Sequence, residues 1–242
     1  YEVRYKANGT ALASAPQTVT IGSYAAQLTK SNNDVSYYDS LKAAVDAATS
    51  NSGSTVKLLQ NIKVEAYSLG IIGCKNPFTI DLNGKTLSTD SSDETPGNAV
   101  FYLYNNAPLT LINSASTQAV IQSQRAFHIQ YSGSVIIGKP DGSDSNIKFE
   151  LSTMLATGTT DNTGSITIYG GTFGCPVNVS TAANAGVSKV TLYGGTFSTI
   201  GVAAPATLVG TLAEGYGFRK DNAWVNQLDG TELTGVTVQQ AP

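Results

Sequence analysis

The apolar residues of this chain fall into short alternating runs that keep returning. The pattern apolar–x–apolar appears in TVKLL (55–59), FTIDL (78–82), LTLIN (109–113), VIIGK (135–139), ITIYG (166–170) and VTLYG (190–194). A period of two sends every second side chain to one face, so each run predicts a strand with an inward row. The first apolar residues, Val56, Phe78, Leu109, Val135, Ile166 and Val190, stand 22, 31, 26, 31 and 24 residues apart. A second row recurs beside the first. NAVFYLYNNAPLTLIN (98–113) matches QRAFHIQYSGSVIIGK (124–139) over 16 positions without a gap, with Phe101 on Phe127 and Leu103 on Ile129. YGGTF is written twice, at 169–173 and 193–197.

Strands that return at this interval, with no helix between them, predict an all-β fold of stacked coils, a parallel β-helix. Each coil rises ~4.8 Å and lays like residues on like. Gly170–Gly171 and Gly194–Gly195 then read as corners, where glycine tolerates positive φ. Phe173 and Phe197 re-enter the core just past them. The one helical pattern is YYDSLKAAVDAATS (37–50), with Leu41, Ala44, Val45 and Ala48 on one face and Asp39 or Ser40 as N-cap. It precedes the first coil strand and is expected across the N-terminal mouth, where an open end would expose the core. The expected organisation is lead-in strands over 1–36, a β-helix with its capping helix (37–50) over 37–210, and a C-terminal cap over 211–242. Tyr216, Phe218 and Trp224 are expected to close the core there.

Composition narrows the function. Charged residues make up 13% and apolar residues 41%, with 24 glycines and a net charge of −3. That suits a turn-rich β protein with a sizeable core. It lacks the clustered Lys and Arg that nucleic acid or an anionic membrane would need, and no apolar run reaches the ~18 residues of a membrane span. One His, one Met and two Cys outside any C-x-x-C spacing predict no metal and no cofactor. Cys74 and Cys175 sit three coils apart, about 14 Å and too far for a disulfide, so both read as buried thiols. The opening at YEVRYKANGT and the ending at VTVQQAP read as those of a piece cut from a longer chain.

The order VTIGSYAAQLTKSNNDVSYYDSLKAAVDAA, STVKLLQNI, FTIDLNGKTL, ITIYGGTF and LAEGYGFRKDNAWV resembles right-handed β-helix modules of the pectin-lyase-like superfamily. Such modules belong to large, mostly uncharacterised surface proteins of gut-type Firmicutes and related bacteria. The resemblance spans roughly 18–240 and implies a single right-handed parallel β-helix with an N-terminal capping helix. It also implies a secreted or wall-attached multidomain protein. It carries over no catalytic residues, because that family has none settled.

Enzymes on this fold cleave polysaccharides, and a hydrolase needs two carboxyls ~5–10 Å apart. Asp81 is expected to face outward from FTIDL as a surface or turn-capping residue, without a stacked acidic partner. KPDGSDSN (139–146) offers Asp141 and Asp144 for calcium but lacks a terminal Glu, so a plain turn is the better reading. Thr79, Thr110, Thr167 and Thr191 form an outward row, interrupted by Ile136, that β propensity alone explains. The 26-residue match turns Tyr102, Tyr104, His128 and Gln130 outward on adjacent coils. Aromatic faces beside amide and imidazole groups suit a sugar ring, and no carboxylate lies among them. The expected function is therefore a non-catalytic extracellular module for adhesion, binding a glycan or a host or cell-surface protein. The alternatives are a polysaccharide lyase or glycoside hydrolase, and a structural stalk.

Overall fold

The computed structural model describes residues 2–3, 17–18, 23–65, 68–72, 74–89, 99–104, 108–158, 164–176, 189–200, 211–225 and 233–242. Asn8–Gly9, which the sequence reads as a turn of the lead-in, and most of the acid-rich stretch TDSSDE (89–94) lie outside them. The strands in chain order are β1 (Glu2–Val3), β2 (Gln17–Thr18), β3 (Ala26–Thr29), β4 (Val35–Tyr38), β5 (Ser54–Leu58), β6 (Ile62–Val64), β7 (Leu69–Ile72), β8 (Phe78–Asp81), β9 (Thr86–Thr89), β10 (Ala99–Tyr104) and β11 (Pro108–Ile112). They continue with β12 (Ala119–Gln130), β13 (Ser134–Ile137), β14 (Ile147–Gly158), β15 (Ser165–Ile168), β16 (Thr172–Pro176), β17 (Lys189–Leu192), β18 (Gly195–Ile200), β19 (Thr211–Leu212), β20 (Tyr216–Lys220), β21 (Ala223–Val225) and β22 (Leu233–Gln240). The helix α1 (Leu41–Thr49) lies between β4 and β5.

The fold is all-β with extended parallel sheets. A nine-stranded sheet runs β19-β17-β15-β13-β11-β8-β5-β3-β4 and is parallel from β5 to β19. An eleven-stranded sheet carries the intervening strands, so from β5 to β19 the chain passes repeatedly from one sheet to the other. β12 is long enough to serve two rows. Val120–Gln122 pair with β9, and Ala99–Tyr104 of β10 pair with Arg125–Gln130. Antiparallel pairs occupy the two ends: β3 with β4 and β5 at one, and β20, β21, β22 and β18 at the other.

Registers stack the core in columns. Val56, Ile80, Leu111, Ile137, Ile168 and Leu192 stand opposite one another in turn and are all buried. A second column runs Leu87, Ile121, Phe149, Phe173 and Phe197, with Phe149 and Phe173 ring centroids 4.7 Å apart at 5°. The outward Thr79, Thr110, Ile136, Thr167 and Thr191 also stand in register, now joined by Thr55. Four of the five expected intervals match the registers. The first does not: Phe78 stands opposite Ser54, and Val56 opposite Ile80, a shift of 24 residues rather than 22. Ser54 is fully buried, and its hydroxyl reaches Ala48 O at 3.4 Å, so a polar residue holds an inward position that apolar patterning skips.

Gly171 and Gly195 hold φ of 115° and 112°, as the corner reading requires. α1 begins at Leu41, not at Tyr37. Tyr37 and Tyr38 belong to β4, and the Ser40 hydroxyl caps the helix by accepting from Ala43 N. The expected apolar face of Leu41, Ala44, Val45 and Ala48 is buried. At the other end Phe218 is buried, whereas Trp224 is 43% exposed, its ring beneath the Arg219 guanidinium. Among the described residues no helix is long and apolar enough to cross a membrane.

Candidate functional site

β10 and β12 bring Tyr102, Tyr104, His128 and Gln130 together. Tyr102 stands opposite His128 and Tyr104 opposite Gln130 in a parallel pair, while Phe101, Leu103, Phe127 and Ile129 between them are buried. Alternation thus leaves these four side chains half-buried on the outer face. Tyr102 and His128 stack, ring centroids 4.9 Å apart and planes at 15°. Gln130 Nε2 lies 3.1 Å from His128 Nε2. An amide nitrogen only donates, so His128 Nε2 accepts and the ring proton sits on Nδ1.

That neutral form is the one the surroundings favour. Burial, and then the nearby charge of Arg125, hold the His128 pKa below its ordinary 6.5. Burial, and then Tyr104, raise that of Tyr102. Arg125 Nε and Nη1 are buried without a hydrogen-bond partner. The Tyr102 hydroxyl therefore stays protonated near neutral pH, and its pair with the neutral imidazole offers donors and acceptors without a negative charge.

Geometry changes one expectation. Stacking covers one face of Tyr102 with His128, so that pair presents ring edges and polar tips more than open faces. The broad aromatic surface comes instead from Tyr131, which sequence patterning missed. It stands at φ 56° just past β12, is 40% exposed, and meets Tyr104 edge-on at 4.9 Å. A positive φ at a bulky residue gives no local sequence signal, because Asn and Gly are the usual occupants.

The carboxylates weighed from the sequence are otherwise engaged. Asp81 does not face outward into solvent; it is 4% exposed. Oδ1 accepts from Asn83 N at 2.9 Å and Ser114 N at 3.0 Å, and Oδ2 accepts from Ser114 Oγ at 2.6 Å. Lys57, opposite it on β5, places Nζ 3.8 Å from Oδ2. Asp81 is thus a buried turn cap. In 139–146, Asp141 caps Ser143 N, and Asp144 pairs with Lys139 at 2.5 Å, which places an ammonium where a cation would bind. Among the described residues no three of His, Cys, Asp and Glu cluster closely enough to hold a metal ion. No family model, no curated protein and no solved structure matches this chain.

Proposed function

We propose that the chain is a right-handed parallel β-helix closed at its N-terminal mouth by α1, and that it serves as a non-catalytic binding module of a bacterial surface protein. In this reading it belongs with the pectin-lyase-like modules it resembles, acts outside the cell, and takes a glycan along Tyr102, Tyr104, His128 and Gln130. Support for the architecture comes from strands that alternate between two sheets with conserved parallel registers. Contacts of α1 with β3, β5 and β7 support its capping role.

One observation carries the functional reading: the Tyr102–His128 stack with Gln130 bonded to the imidazole. It fixes two rings and an amide side by side across adjacent strands, and such preorganised groups bind at a reduced entropic cost. Sugar hydroxyls both donate and accept, which matches Tyr hydroxyls, a neutral imidazole and a carboxamide. No carboxylate stands among the four, so binding without cleavage follows. The test is a glycan array probed with the wild type and with a Tyr102→Ala/Tyr104→Ala variant. A hit weakened by the variant supports the site, with about 1–2 kcal/mol expected for an anchor ring. Unchanged binding by a folded variant removes it, and glycan cleavage by the wild type overturns the non-catalytic reading.

A further inference from the structure

A second polar surface lies apart from that strip, across the outer face of β6, β9, β12 and β14. Registers line up Lys63, Ser88, Gln122 and Glu150 across four consecutive strands. They wall a groove of about 430 Å³. Thr89 and Ser123 line it from the next position along the strands, their hydroxyls bonded to each other at 2.8 Å and buried. Its last member exists because of a bulge. Ser123 stands opposite Leu151, but Arg125 stands opposite Met154, so β14 carries one residue more than β12 at that point. Ser152 falls in this stretch, is exposed and lines the groove. A bulge re-aims a side chain out of strict alternation, and bulges gather at binding sites.

We propose that this groove binds a linear, neutral, hydroxyl-rich chain: an oligosaccharide of about three units lying across the strands. Three strand steps of ~4.8 Å span about 14 Å, so each step from strand to strand matches roughly one pyranose unit. The volume falls within the roughly 300–1,000 Å³ of small-ligand clefts. Among the described residues hydroxyl, amide, carboxylate and ammonium groups line it and no aromatic ring does, so recognition runs through hydrogen bonds to sugar hydroxyls and not through stacking. Glu150 supplies the strongest acceptor, and Lys148 Nζ holds its Oε1 at 2.6 Å. Lys63, three strands away, supplies a donor at the other end. Among the described residues Glu150 is the one carboxylate that lines the groove. This site stands without the Tyr102 strip and would survive its loss.

The same array separates the two. A Gln122→Ala/Glu150→Gln variant alters partly or fully exposed residues and is expected to keep its fold, checked by circular dichroism. Binding of linear neutral oligosaccharides should fall at least tenfold in this variant and persist in Tyr102→Ala/Tyr104→Ala. Amide shifts at Ser88, Gln122 and Ser152 on titration with the array hit would place the ligand in the groove. Should the double variant fail to fold, Gln122→Arg obstructs the groove from one exposed position and gives the same readout. Loss of binding in the strip variant alone overturns the groove and leaves the strip standing. Wild-type binding of no linear neutral oligosaccharide on the array also overturns the groove.

Discussion

Phe173 stacks on Phe197 with ring centroids 4.9 Å apart and planes 7° apart, the two rings buried one strand step from each other. Each follows a glycine at positive φ, and a Cβ added to Gly195 would lie 2.9 Å from Phe197 Cζ. Phe173→Ala should therefore cost about 3–5 kcal/mol, by lost burial and by the cavity left between Phe149 and Phe197. Gly195→Ala should also destabilise, because it combines a clash with a backbone conformation that alanine resists. Urea denaturation of both variants checks this; wild-type midpoints would contradict the stacked core.

Asp81 makes a prediction of opposite character, polar and local. Asp81→Ala leaves Asn83 N, Ser114 N and Ser114 Oγ without their acceptor, at a cost of about 1–3 kcal/mol, since the carboxylate is buried but its donors are half-buried or exposed. Lys57→Ala should cost under about 1 kcal/mol, because its ammonium is partly exposed and 3.8 Å away. Equal losses in the two variants would mean that the ion pair, not the turn cap, is what matters.

His128 predicts a pH dependence. Its folded pKa lies below the ordinary 6.5, first through burial and then through Arg125. The unfolded chain thus takes up a proton near pH 6.5 while the folded protein stays neutral. Stability is full above that pH and declines as pH falls from 6.5 toward the lower folded value. Asp141, whose pKa is lowered from 3.8 chiefly by its hydrogen bonds to Ser143, acts only at more acid pH. Melting temperatures between about pH 8 and pH 5 should fall, and His128→Phe, which keeps a ring against Tyr102, should flatten that slope. An unchanged slope in the variant would assign the effect elsewhere.

Both thiols should be inert in the native protein. Cys74 and Cys175 are free and buried, and burial pushes the Cys175 thiol up to about 12. Mass spectrometry after iodoacetamide treatment should find neither alkylated until denaturant is added. Native labelling of Cys175 would show that the core near β16 opens.

What the sequence determined by itself is the part that repeats. Alternation alone marks Ile80, Leu111, Ile137, Ile168 and Leu192 as inward, and the ungapped match alone pairs Tyr102 with His128. Parallel stacking puts like on like, so the same local pattern recurs wherever the same column passes. The structure alone decided what depends on contacts between distant segments. Ser54 takes an inward place because the helix carbonyl of Ala48 satisfies its hydroxyl. Asp81 is buried because Ser114, 33 residues on, folds over it. Tyr131 joins the strip through a left-handed backbone, and Ser152 enters the groove through a one-residue bulge. Periodicity reports which face a side chain takes within its own strand. Which partner meets that face is set by loop lengths and by hydrogen bonds closed across tens of residues, and these leave no local period to read.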